Sequence, residues 1–324
     1  MRYLVTGGAG FIGSHLVEKL VSLGSEVVVL DNLSTGFIEN IEPYLDRIEF
    51  VDGDIRDLDT CRAVCEGVDH VLHQAALGSV PRSIDNPFIT HEVNTTGTLN
   101  VMWAAKEAGV RSFVAAMSSS YFGDVAGGQA KTDDMPANPI SPYGVSKATC
   151  EHYIRVFAKV YNFHAIGLRY FNVFGPRQSH KGPYAAVIPR FIQAALSGQP
   201  ATIYGDGKQS RDFTYVGNVV RANILASLRA DSCPGEVLNV ACGEQTSLNQ
   251  LHDIIQKEIG VRIAPHHEAA RNGDIKDSLA DISGAQALLG YEPSIKVTAG
   301  IRQTVQWWVE QAQQENPSKI AVVG

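Results

Sequence analysis

The sequence has little that would hold it together by covalent or metallic means. It carries five cysteines in 324 residues. An odd count at low density gives no disulfide framework and fits a reducing compartment. Cys61 and Cys65 stand four apart, which reads as one face of a helix, and no second ligand-spaced pair follows them. His266-His267-Glu268 also lacks such a partner, so no metal is expected. No run approaches ~18 consecutive apolar residues, so no membrane-crossing helix is expected. The N-terminal stretch already reads as structure, with none of the order of a secretory signal. Lys plus Arg number 27 against 34 Asp plus Glu, a net charge of −7. That balance argues against nonspecific nucleic-acid binding and against an anionic membrane surface. The expected location is the cytoplasm.

Apolar residues make up 44% and charged residues 19%, which places the chain among ordinary globular proteins. A chain this long can bury roughly three quarters of its unfolded surface, so it needs no staple. Short β-branched runs alternate with helical patterns through the first half. Strands are predicted over 2–6, 26–30, 48–51, 68–73, 112–117 and 165–171. Helices are predicted over 13–23, near 58–66 and 94–108, and over 143–161. This rhythm implies an α/β fold, a Rossmann-type doubly wound parallel sheet with helices on both faces. Past residue 172 the rhythm changes. Helices are expected near 187–196 and over 247–259, the latter capped by Thr246 or Ser247, with strands near 201–204 and 236–240. The expected division is 1–172, with segments near 212–242 returning to it, and a smaller discontinuous α/β substrate domain in 173–324. The tail after Trp308 is polar and suggests no role.

Gly7-Gly8-Ala9-Gly10-Phe11-Ile12-Gly13 follows the first strand and opens the first helix. Gly7 permits a tight turn, Gly10 lets backbone approach a pyrophosphate, and Gly13 lets helix pack on strand. The N–H groups at the helix start then face the phosphates. Asp31 ends the second strand, where a carboxylate accepts from an adenosine ribose and repels a 2′-phosphate. That favours NAD over NADP. Asp54, after the third strand, is placed to reach the adenine.

Tyr143 and Lys147 stand four apart at the start of a helix and project from one face. A neutral phenol is a poor base, but a neighbouring ammonium and a positive nicotinamide both favour the phenolate. Such a tyrosine can take a hydroxyl proton as hydride leaves the same carbon. Ser118-Ser119-Ser120 ends a parallel strand, where ligands bind in this architecture. A serine hydroxyl there can bridge the substrate and Tyr143. Arg211 and Arg271 would suit a diphosphate through bidentate contacts.

At these residues the chain resembles the extended short-chain dehydrogenase/reductases, and within them the nucleotide-sugar 4-epimerases. The resemblance covers nearly the whole chain. It rests on Gly7–Gly13, Asp31-Asn32-Leu33-Ser34-Thr35-Gly36, His73-Gln74-Ala75-Ala76, Ser118–Ser120, Ser141-Pro142-Tyr143 with Lys147, Arg169–Val173, Tyr204–Gly207 and Ser210–Phe213. It implies that Tyr143 is the base, that Lys147 holds the ribose, and that Ser118 is the serine nearest the reacting hydroxyl. By the same resemblance Gly7, Gly10, Phe11, Ile12, Gly13, Asp31, Asn32, Ser34, Thr35 and Gly36 would line NAD. Asp54, Ile55, Gln74, Ala75, Ala76, Asn94 and Tyr170 would join them, with Tyr143 and Lys147. Asn172, Arg211 and Arg271 would hold the nucleotide diphosphate, and Val187 and Tyr204 would flank the uracil. Ser79, Ser119, Ser120, Asp274 and Ser278 would complete the substrate site.

The resemblance further implies oxidation at sugar C4, rotation of a flat 4-keto sugar, and reduction from the other face. A dehydratase of this fold carries Thr-Asp-Glu where this chain has the serine run, which favours the epimerase. Ser278 is small at the position that gates the sugar pocket, and Gly182–Pro189 is similar to UDP-N-acetylglucosamine 4-epimerases. The expected substrate pair is therefore UDP-GlcNAc/UDP-GalNAc, with UDP-Glc/UDP-Gal as a further pair. Competing readings are a UDP-glucuronate 4-epimerase, a 4,6-dehydratase or decarboxylase, and a non-catalytic NAD-binding regulator. A homodimer through helices near 94–108 and 143–160 is expected. One departure from the family pattern is Tyr121-Phe122, where a tyrosine commonly precedes the glycine; it raises the question of the sugar pocket's shape.

Overall fold

The structure, a computed structural model, describes residues 1–125, 128–180, 185–270 and 276–315. Six strands come from the first half: β1 (Arg2–Thr6), β2 (Glu26–Asp31), β3 (Glu49–Asp52), β4 (His70–His73), β5 (Ser112–Ser118) and β6 (Ala165–Tyr170). A seventh, Val237–Val240, pairs with β6. The spatial order is Val237–Val240, β6, β5, β4, β1, β2, β3, with every pair parallel. The central strands read as near-continuous apolar runs because both faces are covered: β4, β5 and β6 are buried at every position. On one face lie α1 (Phe11–Ser22) and the helix Val216–Arg229, which bury Leu16, Val17, Leu20, Val219 and Ala226. On the other lie Leu58–Cys65, Thr98–Glu107 and Pro142–Tyr161, which bury Cys61, Val101, Ile154 and Phe157. Cys61 and Cys65 thus belong to the core, and burial pushes both thiols up to about 12.

The predicted strands and helices of the first half are present, with shifted ends. The stretch near 94–108 is more broken than its pattern suggests. It comprises Pro87–His91, a π-helical turn Glu92–Gly97 and the α-helix Thr98–Glu107. The wide turn carries the fully buried Asn94. The helix Val216–Arg229 has no side-chain cap and follows directly on the two-residue strand Thr214–Tyr215. It therefore gives no start signal in the sequence.

The second half has its own apolar core. Phe191 and Ile192 (helix Val187–Leu196), Leu251 and Ile255 (helix Leu248–Ile259), and Ile301, Val305 and Trp308 (helix Val297–Glu315) meet there. Ser247 caps Leu248–Ile259 in a reciprocal capping box with Gln250. The helix Val297–Glu315, which the sequence reading did not name, supplies three of these core side chains. His266–Glu268 is a strand parallel to Thr202–Tyr204.

The glycine loop is the tightest place in the sheet. Gly7 has φ +69°, and a Cβ on it would lie 2.7 Å from the Ala75 nitrogen beyond β4. A Cβ on Gly13 would lie 2.1 Å from the Gly7 carbonyl oxygen. Gly13→Ala is therefore expected to lower stability by roughly 3 kcal/mol, through overpacking against backbone. Urea denaturation measures the loss, and an unchanged midpoint contradicts the contact.

Candidate active site

The strand order reverses between β1 and β4, the place where ligands bind in open α/β sheets. Gly7, Gly10, Phe11, Ile12, Gln74, Ala75 and Ala76 are all partly exposed along this crevice, and Gly13 is buried behind them. Asp31 is 8% exposed; its two oxygens accept from Ala9 N at 2.9 Å and Leu33 N at 2.8 Å. It thereby closes the glycine loop onto β2. Burial pushes its carboxyl up, against the pull of those two N–H groups. Gly36 is buried against Ala9, while Ser34 and Thr35 are exposed. Asn32 donates to Asp54 at 2.9 Å, and Asp54 pairs with Arg56 at 2.7 Å. The Arg56 hydrogen bond holds the Asp54 carboxyl down at about 2. Ile55 is buried against Gly97.

These residues fit an anionic dinucleotide. Gly10 gives α1 no side-chain cap, and the first turn has no acidic residue. The positive end of the helix is thus left for a ligand's phosphate. Gly10 also leaves room above the loop, since a Cβ there would touch only the Gly7 oxygen, at 3.1 Å.

Asn94 holds the loop beyond β4. Its Oδ1 accepts from Leu77 N at 2.8 Å, and its Nδ2 donates to Ser146 Oγ at 3.1 Å. Tyr170, expected beside NAD, donates its hydroxyl to Gln74 Oε1 at 3.1 Å and accepts from Asn223 Nδ2 at 2.8 Å. It orients Gln74 from beneath.

Ser118 ends β5, and its Oγ accepts from Ser120 N at 3.1 Å. Ser141 caps the helix Pro142–Tyr161 by accepting from Gly144 N at 3.1 Å. This helix start lies directly on the serine turn: a Cβ on Gly144 would be 2.8 Å from the Ser120 carbonyl oxygen. Tyr143, next in the chain, is partly exposed there, as are Ser119 and Ser120. Lys147, 3% exposed, donates to Ala116 O on β5 at 2.8 Å. The three residues expected to do chemistry are thus carried by two elements in backbone contact. Tyr121 and Phe122 are buried, turned inward around Arg169.

Asn172, Val187, Tyr204 and Arg211 line one cavity of about 190 Å³ in the second half. Asn172 donates to Asp212 O at 3.2 Å, and Arg211 donates to Ser210 O at 2.8 Å. Arg190, Gln209 and Phe213 also line the cavity and were missed from sequence. The signal for Arg190 was its place one turn beyond Val187 on the same helix. Ser278 is 5% exposed beside Ser210, whose carbonyl accepts from its N–H. Ser79 caps the helix Val80–Asp85 by accepting from Arg82 N at 3.2 Å. Arg271 and Asp274 lie outside the described residues.

A family model described as the NAD dependent epimerase/dehydratase family matches residues 3–241. The chain belongs to that family. A curated relative, a putative UDP-glucose 4-epimerase of Methanocaldococcus jannaschii, is 40% identical over 305 residues, 94% of this chain and 97% of its own. Among solved structures, UDP-glucose 4-epimerase of Thermotoga maritima with UDP-glucose superposes with a TM-score of 0.91 at 35% identity, covering 96% of this chain and all of its own. UDP-N-acetylglucosamine 4-epimerase from Methanobrevibacter ruminantium, in complex with UDP-N-acetylmuramic acid, gives a TM-score of 0.90 at 39% identity, covering 96% and 98%. Membership makes this an NAD-dependent enzyme of the epimerase/dehydratase family, with a Rossmann-type sheet. Among the described residues, no helix is long and apolar enough to cross a membrane.

Asp212 ties together three segments of the second half of the chain. It is fully buried and accepts from Cys242 N at 3.0 Å, Gly243 N at 3.1 Å and Ala280 N at 3.2 Å. Burial outweighs these bonds and pushes its carboxyl up from 3.8 to about 6. The protonated form is favoured in the fold, so this contribution to stability is complete below about pH 4 and lost as pH rises through about 6. It amounts to at most about 3 kcal/mol. Asp212→Asn should flatten the fall in unfolding free energy between about pH 4 and pH 7. Urea titrations across that range check it, and an unaltered slope refutes it.

Proposed function

We propose that the protein is a UDP-sugar 4-epimerase acting on UDP-GlcNAc and UDP-GalNAc, with UDP-Glc and UDP-Gal as further substrates. The observation that carries the reaction class is the contact of the Gly144 helix start with the Ser120 carbonyl. It brings a serine hydroxyl, a phenol and an ammonium to the carboxyl edge of the sheet. Bound NAD supplies a hydride acceptor and donor for the sugar's C4. Tyr143 takes the O4 proton as C4 is oxidised and returns it when C4 is reduced. Ser118 bridges O4 and the phenol. Lys147 spends one N–H on Ala116 O and keeps two for the cofactor's ribose.

Residues 1–172, with segments near 212–242, hold the cofactor; the rest of 173–324 holds the nucleotide. The cavity carries two arginines, Arg190 and Arg211, which suit a diphosphate. Anchoring there would leave the 4-keto sugar free to turn over between its oxidation and its reduction. Ser119 and Ser120 cannot perform the proton transfers a dehydratase needs at neutral pH. The small, buried Ser278 beside Ser210 supports room for a C2 acetamido group, as does the likeness to the Methanobrevibacter ruminantium enzyme. The active unit is a homodimer. Exposed apolar side chains on Pro142–Tyr161 (Val145, Val156, Val160 and Tyr161), with Phe88 nearby on Pro87–His91, support that assembly.

Incubating the protein with each UDP-sugar and resolving the C4 epimers tests the assignment. UDP-GlcNAc is expected to convert. Turnover of UDP-glucuronate alone, or a 4-keto-6-deoxy product, would replace it. Tyr143→Phe is expected to lower kcat by about 10²–10⁴-fold while the purified protein retains NAD. Unchanged turnover removes Tyr143 as the base.

A further inference from the structure

Arg169 is fully buried on β6, in the register Met117↔Arg169, Ser118↔Tyr170 with β5. Its guanidinium makes a fork with Glu151, Nε to Oε1 at 2.9 Å and Nη2 to Oε2 at 2.8 Å. Nη1 donates to the Asp133 carbonyl at 3.1 Å. The rings of Tyr121 and Phe122 cover it, with Cζ 4.3 Å and 4.9 Å from their centroids. These contacts reach two elements that must agree. Glu151 lies four residues after Lys147 and eight after Tyr143, on the same face of the helix Pro142–Tyr161. Tyr121 and Phe122 follow the Ser118–Ser120 turn directly.

The helix is therefore fixed to the sheet at successive levels, by Lys147 to β5 and by Glu151 to β6. The same guanidinium holds the segment that carries the serines. We infer that Arg169 is a positioning residue for the reaction, and that the Tyr121-Phe122 pair serves as its aromatic cage. The pair thus acts on the serine turn from behind. A rigid planar fork fixes both direction and distance, which a lysine or an apolar contact would not. Proton transfer among Ser118, Tyr143 and the sugar hydroxyl is sensitive to sub-ångström placement, where a 1 Å error costs about 10²-fold in rate. The cavity proposed to anchor the nucleotide lies elsewhere and is lined by Asn172 and Arg211. Disturbing the fork should therefore alter the chemical step and spare binding.

This inference rests on the epimerase reading, and the wild-type assay is done first. Wild-type protein that converts no UDP-sugar overturns that reading, independently of the variants. Two variants then test Arg169. Glu151→Gln breaks the charge-assisted fork at constant shape. The double variant Glu151→Met with Arg169→Met replaces a buried ion pair by apolar side chains, a change that often leaves stability intact. For each, kcat, KM, bound NAD per chain and Tm are measured. The expected result is a 10- to 100-fold fall in kcat in both, with KM within about twofold and NAD content near wild type; Tm stays near wild type in the double variant and falls in Glu151→Gln, which leaves the buried Arg169 charge unpaired. Kinetics within twofold of wild type in either folded variant overturn the proposal. So does a loss of kcat that comes only with parallel loss of NAD and a lower Tm. If the double variant is insoluble, Glu151→Gln decides by the same criteria.

Discussion

The molecule depends on one steric constraint: backbone must touch backbone where β1 meets β4. Gly7 stands against Ala75, Gly13 stands against Gly7, and Gly36 stands against Ala9. No side chain fits in any of these contacts. They bring the end of β1, the start of α1 and the loop beyond β4 to one point. The end of α1 can then serve a phosphate because, among the described residues, no side chain caps it. The polar groups around this point secure it. Asp31 accepts from Ala9 and Leu33, while Asn94 grips Leu77.

A second convergence lies at the end of β5. A buried lysine and a buried carboxylate on one helix reach two neighbouring strands, Lys147 to β5 and Glu151 to β6. Buried ions of this kind are costly unless they are paired and hydrogen-bonded. Arg169 places three N–H groups, two on Glu151 and one on the Asp133 carbonyl, and two ring faces cover it. The result is a rigid floor beneath the serine turn. The cavity of the second half, by contrast, is built from the helix Val187–Leu196, short strands and a loop around Gln209.

Much of the first half was legible because its signals are local. Apolar runs gave the strands, the glycine spacing gave the loop, and a serine before Pro142 gave the helix start. What stayed hidden depends on distant partners. Nothing near Asn94 announces a π turn, whose role appears only against Leu77 and Ser146. The hold of Tyr170 on Gln74 and Asn223 likewise appears only when its hydroxyl is followed across the fold. Tyr121-Phe122 raised a question about the sugar pocket, and both rings instead face a cation from another strand. Arg190 and Gln209 are ordinary surface types in sequence, and only the fold brings them to one cavity.

The strand order also constrains how the chain assembles during synthesis. β1 pairs with β2 on one side, across a short connection, and with β4 on the other, whose first residue lies far downstream at His70. Until β4 and Ala75 have emerged, the glycine loop has only one wall. The last strand, Val237–Val240, joins β6 still later. Pairings that close over long sequence separations are slow. A nascent chain therefore carries an exposed, unpaired β6 edge until Val237–Val240 has emerged, which makes that interval the one in which chaperones matter most.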